Sequence, residues 1–335
     1  NCEFTDNIAR FQFDGTTYGS GGAISSDSSG IVATECTFAG NESQVLGGAV
    51  WHKNAVMTCT DCNFLTNSTD GYGGGIYVEN VQAADGHSLS LTSCVIDGNT
   101  ARLGGGVFLE GASMTATNSD FTQNAANTDA GSDGGAICAS LWGSDPSEAT
   151  LVGCTVTGNQ ATGAHALYIA SGNLLAIESS TICDNTDTTG TPQDSIHGAW
   201  TDLGDNCISI VCDSDGDSTP DCNDGCPDDP NKIDPGICGC GVADTDSDGD
   251  GAANCQESCD SDPNKTSPGA CGCGVADTDS DGDGTANCNE TCDSDPNKTS
   301  PGICGCGVSD ADNDGDGTAN CNDSHPFCYY NYYDC

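Results

Sequence analysis

The chain has 335 residues, of which 51 are acidic, 6 are Lys or Arg and 25 are Cys, and its formal net charge is −45. That charge excludes nucleic acid and anionic membrane surfaces as direct partners, because both would be repelled, and it calls for neutral or cationic partners or for bound metal cations. Cysteines at this density belong to disulfides in an oxidising compartment, so a secreted, extracellular protein is expected, with at least one cysteine of the odd number left free, linked to another chain or otherwise modified.

Residues 1–210 carry two alternating signatures. One runs from Cys or Ser through an apolar residue to Asn: Cys2-Phe4-Asn7, Cys36-Phe38-Asn41, Cys62-Phe64-Asn67, Cys94-Ile96-Asn99, Ser119-Phe121-Asn124, Cys154-Val156-Asn159 and Ser180-Ile182-Asn185. The other is a Gly pair followed by Ala or Gly and an apolar residue, beginning at Gly21, Gly47, Gly73, Gly104 and Gly134, with a degenerate copy at Ala164 to Leu167. The repeat length is about 26 residues, which means stacked supersecondary units. Gly pairs and β-branched runs exclude helix pairs. Short alternating stretches such as Ile76-Tyr77-Val78 and Val107-Phe108-Leu109 read as strands. Three such strands per coil predict a parallel β-helix. Each apolar residue would stack on its copy, each Asn would form a ladder in a turn, and Gly would supply the left-handed corner. Asp70-Gly71, Asn127 to Asp133 and Gly143 to Ser147 read as inserted loops.

The paired signatures resemble the repeats of polymorphic outer membrane proteins and related autotransporter-like adhesins, over residues 1 to about 200. The resemblance implies a surface-exposed β-helix used in adhesion. No membrane β-barrel is recognisable in the chain, so the secretion route of that family is not implied. No apolar run has the length of a bilayer span, so no membrane insertion is expected. No signal peptide is visible and residue 1 already stands inside a repeat, as in a chain trimmed upstream.

Residues 211–325 follow a second, nearly constant period of 33, marked by Cys222, Cys255, Cys288 and Cys321 and by Asp-Pro-Asn-Lys at Asp229, Asp262 and Asp295. Between these marks lie acidic clusters with the spacing D-x-D-x-D-G-x₅-E. The set Asp246, Asp248, Asp250 and Glu257 fits fully, as does Asp279, Asp281, Asp283 and Glu290. Asp312, Asp314, Asp316 and Asp323 end in Asp, and Asp213, Asp215, Asp217 and Asp224 have Ser218 where Gly is expected. Calcium takes six to eight oxygen ligands, and acids at positions 1, 3, 5 and 12 with a carbonyl at 7 wrap one ion. A register beginning at Asp244, Asp277 or Asp310 is also open. Asp260, Asp262 and Asn264, and likewise Asp293, Asp295 and Asn297, are candidates for a second ion. Cys, Pro and Gly recur too often for flanking helices. The block resembles thrombospondin type 3 repeats, which implies the named acids as calcium ligands in a disulfide-linked chain with little regular structure.

The predicted fold is therefore all-β: a right-handed parallel β-helix (1–210), an extended disulfide-rich calcium-binding arm (211–325) and an aromatic tail (326–335). In that tail Tyr329, Tyr330, Tyr332 and Tyr333 read either as a strand folded back or as an intermolecular hook. Cys2, Cys36, Cys62, Cys94 and Cys154 would form a column, either packed as thiols or paired between coils. Asn289 and Asn322 are candidate glycosylation sites at non-ligand positions of the calcium loops, while Asn41 and Asn67 belong to the inner ladder. Arg10, Lys53 and Arg102 sit at different points of the repeat, and His52, His87, His165 and His197 are scattered. No constellation for acid–base or nucleophilic catalysis is legible, so no enzyme is expected. The expected role is structural: a protomer of a calcium-stabilised extracellular fibre or layer, with copies of itself and glycans as partners. The alternative is a monomeric adhesin or glycan-binding β-helix, and a polysaccharide lyase or hydrolase ranks below both.

Overall fold

A computed structural model of the chain describes residues 2–10, 19–80, 88–127, 134–140, 145–163, 165–192 and 194–328. It divides into two compact units, Asn1–Asn231 and Lys232–Cys335. The aromatic tail residues Tyr329, Tyr330, Tyr332 and Tyr333 lie outside the described residues.

The first unit is a parallel β-helix. Every ladder between its strands is parallel, and the strands stack into sheets of eight, six, seven and seven. Sheet I begins at Cys2–Thr5 and Cys36–Ala39 and ends at Thr181–Cys183 and Cys207–Ile208. Sheet III runs from Ile24–Asp27 through Ile76–Glu79 to Ile196–His197, and sheet IV from Ile31–Thr34 through Ser113–Thr117 to Thr201–Asp202. Sheet II is built of two-residue strands, from Ile8–Ala9 and Glu42–Ser43 to Gln160–Ala161. A coil thus has four strands, not three. The extra strand spans two residues after each Asn, too few for alternation to register in the sequence.

Register places each repeat on its copy. Phe4 pairs with Phe38, and Phe38 with Phe64, with ring centroids 4.8 and 4.7 Å apart. Phe38, Phe64, Ile96, Phe121, Val156 and Ile182 are fully buried. They meet Met57, Leu89, Met114 and Leu175 of sheet IV, and Val50, Ile76, Val107, Ile137 and Leu167 of sheet III, in one continuous core. A buried Phe side chain contributes about 3–5 kcal/mol against Ala, so Phe38, Phe64 and Phe121 are large contributors to this core.

The turns carry the polar ladders. Asn67 Nδ2 donates to Phe38 O and to Asn99 Oδ1, both at 2.9 Å, and Asn67 Oδ1 accepts from the Asn41 amide and side chain. The same pattern recurs at Asn99, Asn124 and Asn159. Backbone groups buried at the corner thereby find partners on every coil. The first Gly of each pair is left-handed, as Gly47 is at φ 61°, and the second lies against the next coil. A Cβ on Gly48 would fall 2.0 Å from Gly74 O. Two further corners are also left-handed, with Gly in some coils (Gly153 before Cys154; Gly40, Gly98 and Gly158 before the Asn) and other residues elsewhere, among them Glu35, Asp61 and Asn118 before the Cys or Ser position and Thr66 and Gln123 before the Asn.

Asp70 and Gly71 are not an insertion. Tyr72 bridges Leu46 just as Leu46 bridges Ser20, so the segment keeps register with the coil below. The additional residues of that coil fall between Asn80 and Ser88, outside the described residues.

The Cys column divides. Cys2 and Cys36 form a disulfide between adjacent coils, whereas Cys62, Cys94 and Cys154 are buried thiols, joined by Cys59 on the facing strand. Sheet III also carries an outward column that the sequence did not single out. Trp51, Tyr77, Phe108, Cys138 and Tyr168 are in register and are covered by Leu46, Tyr72 and Leu103. Tyr77 and Phe108 stack at 5.3 Å, and Tyr77 Oη donates to Glu110.

The second unit has no β-strand among its described residues, and its one helical element there is a 3-10 turn, Asn287–Asn289. Disulfides hold it: Cys238–Cys255, Cys271–Cys288 and Cys304–Cys321 recur with the repeat, as do Cys259–Cys273 and Cys292–Cys306.

Candidate metal centres

Each acidic loop is wound by its first carboxylate. Asp246 Oδ1 accepts from the amide of Gly249 at 2.7 Å, and its Oδ2 from that of Gly251 at 3.0 Å. Asp279 binds Gly282 and Gly284 in the same way, Asp312 binds Gly315 and Gly317, and Asp213 binds Gly216 and Ser218. Gly251, Gly284 and Gly317 have φ near the left-handed region, at 99, 94 and 94°. Ser218 takes φ 80° in their place, a conformation that an L side chain adopts at a cost. The third and fifth positions cap the next amides: Asp248 Oδ1 accepts from Asp250, and Asp250 Oδ1 from Ala252.

These turns aim carboxylate oxygens at a common point. In each of the sets Asp213, Asp215 and Asp217; Asp246, Asp248 and Asp250; Asp279, Asp281 and Asp283; and Asp312, Asp314 and Asp316, one oxygen per residue lies within 4.8 Å of the others. The acid at position 12 lies near enough to interact electrostatically with the set. Asp224 and Glu290 are each only 8% exposed. Buried and without a hydrogen-bond partner are Oδ2 of Asp215, Asp248, Asp281 and Asp314, Oδ2 of Asp224 and Asp323, and both carboxylate oxygens of Glu257 and Glu290. Buried, unpartnered anionic oxygens at this spacing are costly unless a cation completes them.

The electrostatics agree. Burial, reinforced by Asp250 and Asp248, raises the Glu257 carboxyl above its usual range, and burial with Asp281 and Asp283 does the same for Glu290. Burial also raises Asp215 and Asp314. Backbone amides hold the first carboxylates down: Gly249 and Gly251 for Asp246, Gly284 and Gly282 for Asp279. Hard oxygen donors in this number suit calcium, and the position-12 acids with the third and fifth Asp would hold it.

Asp244, Asp277 and Asp310 face a different cation. Lys265 Nζ lies 2.8 Å from Asp277 Oδ1, Lys232 lies 3.0 Å from Asp244 and Lys298 lies 2.8 Å from Asp310. The Lys265 side chain and the Cys271 amide hold the Asp277 carboxyl below its usual range. Asp262 and Asp295 act as bridges: Asp262 Oδ2 accepts from Gly274 and Oδ1 from Asn264, and Asp295 contacts Gly307 and Asn297 likewise. Asp260, Asp293, Asn264 and Asn297 are exposed around them. Asn289 and Asn322 are exposed, and Asn289 Nδ2 donates to Ala270 O. Asn41 and Asn67 are fully buried in the ladder.

Fold and site together define a disulfide-rich parallel β-helix repeat protein with Asp-rich clusters able to hold metal ions, consistent with calcium. Residues 1–27 match the Chlamydia polymorphic membrane protein repeat, so the first coil is similar to that surface family. No curated protein and no solved structure matches the chain. Among the described residues no helix is long and apolar enough to cross a membrane.

Proposed function

We propose that the chain is a secreted structural protein whose Asp-rich loops bind calcium and thereby rigidify an extracellular assembly. The observation that carries this reading is the set of buried, unpartnered oxygens at positions 3 and 12 of the four loops. The arm resembles thrombospondin type 3 repeats, whose acidic loops are ordered by calcium around disulfides. With 51 acidic residues against 6 basic ones, the charge needs counter-ions before the loops can close. Metal binding of this kind is also folding free energy.

Copies of the chain joined head to tail would form a fibre or surface layer. A heterologous contact of that sort extends into filaments. Catalytic turnover has no part in this reading. His52 is buried and bonds the Ala55 carbonyl, and Lys53 is tied to Glu79 at 2.8 Å. Negative-stain images with calcium, with chelator, and of a variant lacking residues 326–335 test the assembly. Filaments that need calcium support it, and single particles under all conditions overturn it. A screen against pectin and alginate tests the absence of turnover.

A further inference from the structure

We infer that the first acidic loop, Asp213 to Asp224, is a calcium-dependent cap that holds the last coil of the β-helix closed, an inference that rests on the calcium reading above. The last coil is poorly held by its own contacts. Its strands Ile196–His197, Thr201–Asp202 and Cys207–Ile208 are two residues each, and no described strand extends sheet II beyond Gln160–Ala161. Leu203 and Ile210 are about half exposed, and Trp200 and Val211 stand more than a third exposed, whereas Ile177 and Ile182 one coil earlier are fully buried. Of the last coil, Ile196 and Ile208 reach the core, and both are partly buried. A terminal coil with so little buried apolar surface opens locally at low cost.

The first loop is bonded to the preceding coil near its start and to the last coil near its end. Cys212, just before Asp213, is disulfide-linked to Cys183 of the preceding coil. Its amide donates to Asp184 Oδ1, and the Asp184 amide donates to Ile210 O. Cys222, two residues before Asp224, is linked to Cys207 of the last coil. The corresponding cysteines of the other loops, Cys255, Cys288 and Cys321, are bonded to Cys238, Cys271 and Cys304 of the arm. The first loop also belongs to the β-helix unit, which extends to Asn231.

The loop is a built cation site and more than a run of acids. Asp224 is 8% exposed, and its Oδ2 is buried and unpartnered, as is Oδ2 of Asp215. A bound ion draws Asp213, Asp215, Asp217 and Asp224 together. It thereby fixes the spacing of Cys212 and Cys222, and through them of Cys183 and Cys207. Without the ion, like charges repel inside a loop whose ends are anchored to adjacent coils, and the strain falls on the weakest coil. Binding to the closed state alone stabilises that state by mass action.

The test is amide hydrogen exchange on the full chain with intact disulfides, in calcium and in chelator, with bound calcium counted by atomic emission. The reporters are the amides of Leu203, Cys207 and Ser209, which donate to Ile177, Ser180 and Ile182. The internal control is the pair Thr100 and Asp120, which donate to Asn67 and Cys94. Two variants are compared, D215N/D224N in the first loop and D281N/E290Q in the third. The first keeps the oxygens that accept from Asp217 and Cys226 and replaces the unpartnered ones. Chelator and D215N/D224N are each expected to speed exchange of the reporters at least about tenfold while Thr100 and Asp120 keep their protection, and D281N/E290Q is expected to leave the reporters unchanged. Calcium bound with unchanged reporters in chelator overturns the cap and leaves the calcium reading standing. No bound calcium in the wild type overturns both. If D215N/D224N fails to form its disulfides, the chelated wild type supplies the same comparison.

Discussion

Lys265 Nζ donates to Asp277 Oδ1 at 2.8 Å and to the carbonyls of Pro268, Gly272 and Val275 at 3.0, 2.9 and 2.7 Å. The ammonium is an internal counter-ion at the centre of a turn, with its side chain 12% exposed. Lys232 and Lys298 occupy the same place in their repeats, so three of the chain's six basic residues are spent in this way. Replacing Lys265 by Met keeps the stem and removes the charge. The K265M arm is expected to be cut faster by a non-specific protease in saturating calcium, with cleavage concentrated between residues 259 and 277. An unchanged cleavage pattern refutes this role, since the carbonyls would then have found other partners.

The four loops end in two kinds of acid. Glu257 and Glu290 can grip an ion with both oxygens, whereas Asp224 and Asp323 each have one oxygen engaged, by the amides of Cys226 and His325. Affinity in such loops varies over decades with ligand charge and count. Calcium titration by calorimetry is expected to resolve a tighter pair and a weaker pair, about tenfold or more apart. E290Q should move one tight site out of its class and leave the others in place. A single class of four sites in the wild type contradicts the assignment.

The Asn ladder is a stability element. Asn67→Ala removes the donor to Phe38 O, the acceptor of the Asn41 amide and one of the two acceptors of Asn41 Nδ2, which keeps Phe4 O, in a fully buried corner. Each unsatisfied group costs about 1–3 kcal/mol. The variant is expected to unfold in urea with a loss of about 3 kcal/mol or more. A loss below about 1 kcal/mol would mean that water enters and satisfies the corner.

Cys59, Cys62, Cys94 and Cys154 are expected to resist thiol reagents in the folded protein and to react only on unfolding. Burial pushes the Cys94 thiol up to about 11 and raises Cys154 as well. The hydrogen bond between Cys59 and Cys62 raises Cys59 and lowers Cys62 to about 6. Cys62 is nevertheless 0% exposed, and access governs the rate. Mass spectrometry after native labelling checks this, and rapid modification of Cys62 would show that the coil opens easily.

The repeat by itself determined the β-helix. Stacked Phe38, Phe64 and Ile96, ladder-forming Asn67 and Asn99, and the tight Gly48 each repeat because parallel coils put like on like, so periodicity in the chain becomes contact in space. The acidic clusters were equally legible, because an acid spacing confined to twelve residues is a local pattern. Other features needed the tertiary structure. The corners at Glu35, Thr66 and Gln123 use residues with no turn signature, and the two-residue strands of sheet II are too short to show a period. The Cys column split into a disulfide and thiols although its sequence positions are equivalent. The Lys of the Asp-Pro-Asn-Lys phrase showed no role until Lys265 was seen inside its turn, against an Asp twelve residues on. The first loop's attachment to the β-helix came from the pairing of Cys212 and Cys222, which no spacing dictates. Each of these depends on which groups meet across the chain, and local propensity carries no information on that.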